Sequence, residues 1–469
     1  GLYNVVGGIV VILSFLNGAM ASSTQRYLNV ELGKHDKEGL KKVYATSLLI
    51  HGGVAIMILI LAETIGLWFL NSYMNIVPER MCAANWVYQF SVATFVVSVL
   101  SVPYNASIIA HERMSAFAYI SVVEAILKLM VALLISHSPI DKLVSYALLM
   151  FVMGVILRIV YSIYCHRHFE ECRVVSFKID KPLFKSMISF SSWTIIGNLS
   201  YIFHTQGIAI VINMFFGAAV NAAQGISNQV NGIVSGFVQN FMTAMKPQVV
   251  KNHACGNLEE LHNLILEGSR VSFFLVLLFS IPIILEAPYL VSLWLKEVPE
   301  YTVIFIRILL LVTLCDSFNS LLNAAQGATG MIRKYMIVMT CVSIMHLPLS
   351  WIFFTLGFEP YYAMVVYLSL VIIMQVLRIW FVCRAVNLSI RIFYSEVVSR
   401  CIAVFILAFV PPCCLHKLLE NGCQSALCVC FVSVIFSLFF ILLLGLKRQE
   451  RVAICRFAIN KINNVRLKL

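Results

Sequence analysis

Apolar residues run through this chain in blocks of about 20 or more, separated by short polar segments, with no period-two alternation inside the blocks. A hydrocarbon layer of about 30 Å takes roughly 20 apolar residues of helix. Only helices and closed barrels satisfy their backbone polar groups in lipid. Each block therefore predicts a membrane-crossing helix. Thirteen spans are delimited, at 2–29, 43–70, 84–109, 114–137, 142–165, 187–214, 219–245, 262–287, 301–325, 335–357, 360–384, 395–416 and 424–445. The weak alternating segments of an outer-membrane barrel are missing. The fold class expected is an all-α polytopic membrane protein.

The connectors alternate in charge. One set is basic: Lys34, Lys37, Lys41 and Lys42; Arg113; Arg167, Arg173, Lys178, Lys181 and Lys185; Lys246 and Lys251; Arg333 and Lys334; Arg384 and Arg391. The tail adds Lys447, Arg448, Arg451, Arg456, Lys461, Arg466 and Lys468. The other set carries only Arg80, Lys142, Lys296 and Lys417. The positive-inside rule makes the basic set, and with it the C-terminus, cytoplasmic. Of all residues 60% are hydrophobic and 12% charged, and the net charge of +12 follows from the basic loops. Orienting helices and touching anionic lipid heads accounts for that charge with no nucleic acid.

Polar residues interrupt the blocks most heavily at 221–251, "NAAQGISNQVNGIVSGFVQNFMTAMKPQVVK". Asn221, Gln224, Asn228, Asn231 and Ser235 are spaced 3, 4, 3, 4, which puts them on one helical face, and Gln239 roughly continues it. Gly225, Gly232 and Gly236 fall on an adjoining face, the last two in a spacing suited to close helix contact. Two readings compete. Amides glue helices together at about 0.6–2 kcal/mol per bond, or they line a wet cavity between two lobes, which removes most of the penalty of burial. Five positions in line favour the cavity. The first span has a thinner version in Asn4, Ser14, Asn17, Thr24, Gln25 and Arg26.

Ionisable groups within spans are functional candidates by default. Arg26 is either a snorkelling cation or a cavity group, and Lys246 closes the polar stretch. His204, with Gln206 nearby, is either a satisfied neutral histidine or a cavity group. Asp316 is the deepest acid of the second half and has to be protonated, paired or wet. Glu124 and Lys128, at i and i+4, read as a self-neutralising pair. Arg307 is deep, with no direction assigned.

An internal repeat places "LSVPYNASIIAHERMSAFAYISV" (100–122) over "LNAAQGATGMIRKYMIVMTCVSI" (322–344), an offset of 222 residues. Gly33 with Gly256, and Trp68 with Trp294, keep a similar spacing. Six spans fit in one period, so the lobes are parallel repeats, an arrangement transporters use to hold a site between rocking halves. No P-loop, H-E-x-x-H or G-x-S-x-G motif occurs, no soluble domain could hold an active site, and no metal-ligand cluster is visible. The 14 cysteines lie mostly within apolar runs, with a weak suggestion of a disulfide among Cys413, Cys414 and Cys423. The chain begins at Gly1 within a hydrophobic segment and is read as trimmed of an earlier helix.

The segments 222–251 and "ACGNLEELHNLI" (254–265) resemble the start of the second lobe of bacterial Wzx-type O-antigen or polysaccharide flippases of the MOP superfamily. These are relatives of multidrug and toxin extrusion antiporters and lipid II flippases. "GLYNVVGGIVVILSFLNGAMASSTQRYLNVELGKHD" (1–36) is similar to their second helix and following loop. The resemblance implies a MATE-like fold of 14 helices: two six-helix lobes plus two C-terminal helices. On this chain that gives an N-lobe over 1–166, a connector at 167–186, a C-lobe over 187–386, two extra helices over 387–446 and a basic tail over 447–469.

The resemblance further implies a flippase in the bacterial cytoplasmic (inner) membrane. It would move an undecaprenyl-diphosphate-linked glycan by alternating access, with no cofactor and with a proton or sodium as coupling ion. Membrane lipids and polysaccharide assembly proteins are the partners it implies. No substrate residue is carried over from the family; Arg26, His204, Gln206, Lys246, Asp316 and the amide stripe come from position and chemistry here. The rivals are a multidrug or metabolite cation antiporter on the same fold, which needs acids in its cavity, and a membrane scaffold on a degenerate transporter fold. A polymer-building glycosyltransferase would need a large outer loop, which this chain lacks.

Overall fold

The computed structural model describes residues 14–72, 78–135, 141–173, 180–295, 297–419, 422–447 and 450–451. Helices follow one another as α1 (Ser14–Gly33), α2 (Lys37–Ser72), α3 (Pro78–Ala110), α4 (Met114–Leu134), α5 (Lys142–His168) and α6 (Lys181–Ala254). They continue as α7 (Leu258–Trp294), α8 (Thr302–Asp316), α9 (Asn319–Thr329), α10 (Arg333–Ile344) and α11 (His346–Thr355). The last are α12 (Tyr362–Ala385), α13 (Ile390–Leu418) and α14 (Cys423–Gly445). No strand occurs among the described residues.

Eleven described segments are long and apolar enough to cross a membrane, with α8–α9 and α10–α11 each forming one of them. Another is α6, whose 74 residues would reach about 110 Å if straight. A break at Gly217, with φ 82° and ψ −176°, divides it into α6a (181–216) and α6b (218–254). The predicted spans 187–214 and 219–245 fall on these two halves, and α1 holds the described part of the predicted span 2–29.

The Gly217 backbone occupies a region that only glycine enters without strain. Gly217→Ala is expected to lower stability by roughly 1–3 kcal/mol, seen as a drop in melting temperature in detergent. Gly225→Ala serves as its control, because a Cβ there meets no atom within 4 Å.

Two compact units result, one of Gly1–Leu199 with Pro247–Asn257, the other of Ser200–Lys246 with Leu258–Leu469. One cluster in the first gathers Leu28, Tyr44, Ile108, Cys165 and Met187. One cluster in the second gathers Ile212, Phe305, Leu309, Phe354 and Ala363. Helices start where a carboxylate can cap them. Asp36 accepts from the Glu38 and Gly39 N–H groups at 3.1 and 2.9 Å, and Asp180 accepts from that of Leu183 at 3.1 Å. Asp141 caps α5 through the Leu143 N–H, and that bond together with Arg80 holds its carboxyl below the usual range.

The first turn needs a close approach as well. A Cβ on Gly33 would lie 2.9 Å from the Lys251 carbonyl oxygen, so only glycine fits there.

Proline leaves its mark on α7. Pro288 has no N–H for the Ile284 carbonyl four residues back. Arg307 Nε of α8 fills that place at 2.9 Å, which settles the direction of this deep arginine.

Candidate functional site

In the second unit, the polar residues of α6b divide between bonded and surface positions. Thr313 of α8 donates to Asn231 Oδ1. Ser320 Oγ of α9 donates to Gln239 Oε1 at 3.3 Å, although Gln239 stays exposed. Gln224 is buried, and its Oε1 has no hydrogen-bond partner among the described residues. Asn221 and Ser235 are half-buried, whereas Asn228 is exposed. Lys246 is half-buried and forms no ion pair among the described residues. The close helix contact expected at Gly232 and Gly236 does not occur: both are exposed, and a Cβ on either would meet nothing within 4 Å. Their spacing is local to α6b, and no described residue lies within 4 Å of a Cβ placed there.

Asp316 sits where α8 gives way to α9. Helical bonding lapses over Ser317 and Phe318, and the Ser317 carbonyl accepts from Ser272 Oγ at 2.6 Å. The acid is paired. Arg378 Nη1 of α12 donates to Asp316 Oδ1 at 2.9 Å, and Asn319 Nδ2 donates to Oδ2 at 3.0 Å. The other arm of the guanidinium, Nε, donates to Tyr335 Oη at 3.1 Å. Tyr335 donates in turn to Asn323 Oδ1, and Asn323 Nδ2 donates to Asn319 Oδ1.

The five side chains close a ring. Every bond in it is directed away from Arg378 and toward the Asp316 carboxylate. Gln375 Oε1 takes a further hydrogen bond from Arg378 Nη1. The Arg378 side chain is only 7% exposed, whereas that of Asp316 is 36% exposed, so the ring is rooted inside and opens at its acidic and amide edge. Burying a cation costs several kcal/mol unless it is paired and bonded, and the ring meets both conditions.

His204 is buried and does not share its setting with Gln206, which is exposed. His346 Nε2 lies 2.9 Å from the Ala363 carbonyl oxygen, so that nitrogen carries the hydrogen. The Nδ1 of His346 is then the acceptor, and His204 Nδ1–H donates to it at 2.6 Å. Tyr367 packs on His204 with ring centroids 4.4 Å apart.

In the first unit, the Arg26 guanidinium lies 4.7 Å from the Tyr27 ring centroid and 5.0 Å from that of Phe190. Cation–π contacts of this kind contribute about 0.5–2 kcal/mol. Other polar groups of α1 bond to other helices: Asn17 donates to Ser98 at 3.1 Å, Thr24 and Ser47 share a hydrogen bond of 2.9 Å, and Ser23 donates to the Met187 carbonyl at 3.2 Å. Asn4 and the Ser14 side chain lie outside the described residues. Lys128 Nζ lies 2.7 Å from Glu124 Oε1, the pair expected from their spacing. No described group of three His, Cys, Asp or Glu could hold a metal ion. Cys413, Cys414 and Cys423 are free thiols, so the suggested disulfide is not formed.

The sequence reading overlooked Arg378, Tyr335, Asn319, Asn323 and Gln375. A signal for Arg378 existed: it is a lone cation within the apolar run "MQVLRIWF" (374–381), and a cation in a span calls for an acid.

The sequence profile of the MatE family matches residues 194–352. No curated protein matches the chain in sequence. Among solved structures, a MOP superfamily transporter from Pyrococcus furiosus, described as having a binding pocket of reverse polarity, superposes with a TM-score of 0.68 at 15% identity. That match covers 82% of this chain and 88% of the other. An outward-facing multidrug resistance MATE family transporter gives a TM-score of 0.70 at 16% identity over 82% of this chain and 92% of that one. A MATE transporter in its bent conformation gives 0.69 at 16% identity with the same coverage. The chain thus has the fold of the MATE and MOP superfamily transporters, and residues 194–352 carry the MatE sequence pattern.

Proposed function

We propose that this protein is a flippase, not an enzyme, and that it moves an undecaprenyl-diphosphate-linked oligosaccharide or polysaccharide intermediate across the bacterial cytoplasmic membrane by alternating access. One observation carries the reading. The deep acid Asp316 is neutralised by Arg378, so the polar face of the second unit offers amides and Lys246 in place of an uncompensated carboxylate. A cation substrate needs a free acid, whereas a lipid diphosphate needs cations and donors. The first unit carries a cation of its own in Arg26. The reverse polarity attributed to the Pyrococcus furiosus transporter supports reading substrate charge from the site and not from the fold. Under this reading basic groups near the cytoplasmic mouth capture the diphosphate, the tail stays in lipid, and a proton or sodium gradient drives the cycle.

Deleting the gene in the native host tests the proposal, with chemical identification of the lipid that accumulates. A lipid-linked glycan held in the cytoplasmic leaflet supports it. Sensitivity to cationic drugs without that lipid points to the antiporter, and neither effect points to a scaffold. Lys246→Ala and Arg26→Ala are each expected to cut translocation about tenfold, the loss of one charge-assisted contact of ~1.4 kcal/mol, at unchanged membrane abundance. Full complementation of the deletion by both variants would remove these cations from the site.

A further inference from the structure

The ring on α8, α9, α10 and α12 has a chemistry of its own, and its reading rests on the flippase proposal for the same site. We propose that the exposed edge of this ring, Asp316, Asn319 and Asn323, is the subsite that binds sugar hydroxyls of the glycan, separately from the diphosphate.

The argument starts from unused hydrogen-bonding capacity. A carboxylate offers about four acceptor positions, and the two ring bonds to Asp316 take one on each oxygen. Asn319 and Asn323 each spend one of two Nδ2 hydrogens within the ring. Acceptors and donors therefore alternate along one edge. A sugar hydroxyl donates one hydrogen bond and accepts others, so it needs an oxygen and an N–H side by side. Neighbouring hydroxyls on a pyranose repeat that need at the next position. A phosphate only accepts and would leave the edge's carboxylate and amide oxygens without donors, so this edge suits neutral hydroxyls.

Placement favours the same ligand. Asp316, Asn319 and Asn323 follow a 3, 4 spacing, and the three side chains meet along one edge. Asn323 is exposed and Asn319 half-buried. The amides cannot swing freely, because Tyr335 fixes Asn323 from behind and the buried Arg378 fixes Tyr335. Groups held in place before the ligand arrives lose less freedom on binding. Ser320, next to Asn319, bonds Gln239, and Lys246 follows Gln239 by two helical turns of α6b, about 10 Å. A cation for phosphate and an edge for hydroxyls thus belong to one unit.

The test measures binding of two lipids to the purified full chain in nanodiscs: the lipid-linked glycan extracted from the deletion host, and undecaprenyl diphosphate. Asn323→Ala is expected to weaken the glycan-bearing lipid at least tenfold and to leave undecaprenyl diphosphate within twofold. Lys246→Ala is expected to weaken both. Asn323 is exposed, and an unchanged melting temperature of the variant checks its fold. Equal losses for both lipids, or no loss for either, would overturn the sugar subsite while leaving the flippase intact. Failure of the unaltered protein to bind either lipid would instead remove the flippase reading, and the subsite with it.

Discussion

Arg378→Leu is expected to destabilise the protein by roughly 3–5 kcal/mol. The substitution keeps most of the volume in a site where the side chain is 7% exposed, so cavity formation contributes little. What it removes is the counter-charge of Asp316 and the donor to Tyr335. A carboxylate then stands among α8, α9 and α12 with only Asn319 bonded to it. Asp316 keeps some contact with water at 36% exposure, which sets the expectation at the lower end of the range. Thermal or chemical unfolding in detergent measures the loss. Removing both charges, in Asp316→Leu/Arg378→Leu, is expected to recover most of it, because an ion pair replaced whole by apolar groups is often neutral or better. A single-variant loss below about 1 kcal/mol would mean that the acid is hydrated well enough to stand alone.

Glu450→Ala is expected to cost about 3 kcal/mol. Arg270 of α7 is 1% exposed, and Glu450 accepts a hydrogen bond from its Nη2. Its Nε and Nη1 have no hydrogen-bond partner among the described residues, so Glu450 is the carboxylate hydrogen-bonded to the buried cation, with Glu267 and Glu396 acting on it through charge alone. Glu450 also caps the Lys447 N–H at 2.7 Å, and Lys447 Nζ pairs with Glu396 at 2.6 Å. Lys447 and Glu450, beyond α14, are thereby fixed to α13 and α7. Glu450→Gln keeps an acceptor but not the charge and is expected to fall between the alanine variant and the parent. Unfolding by guanidinium in detergent reads the difference. An unchanged midpoint for Glu450→Ala would assign the counter-charge to Glu267 or Glu396.

The architecture was legible because lipid imposes it. Every span has to be long and apolar, so the blocks of the sequence mark the helices directly, and even the division of α6 falls between two predicted spans. The candidate site was legible only in part. The amide spacing on α6b identified a polar face, but spacing along one helix cannot tell which amides a neighbour takes. Asn231 and Gln239 found partners in Thr313 and Ser320, about 80 residues further on in the chain, while Asn228 stayed on the surface. The deep acid was recognised as needing a partner, yet Arg378 lies in another span and no local periodicity connects the two. His204 is a similar case, since its partner His346 is one lone histidine in a distant apolar run.

The kink of α7 at Glu286, two residues before Pro288, carries a mechanical consequence. Proline kinks commonly act as flexure points, because the carbonyl they strand holds nothing. Here that carbonyl is clamped by Arg307 from the adjacent helix, which turns a weak joint into a cross-brace. Helices α7 and α8 are then expected to move as a single strut. Compliance within the second unit belongs instead at Gly217, where no side chain stiffens the backbone.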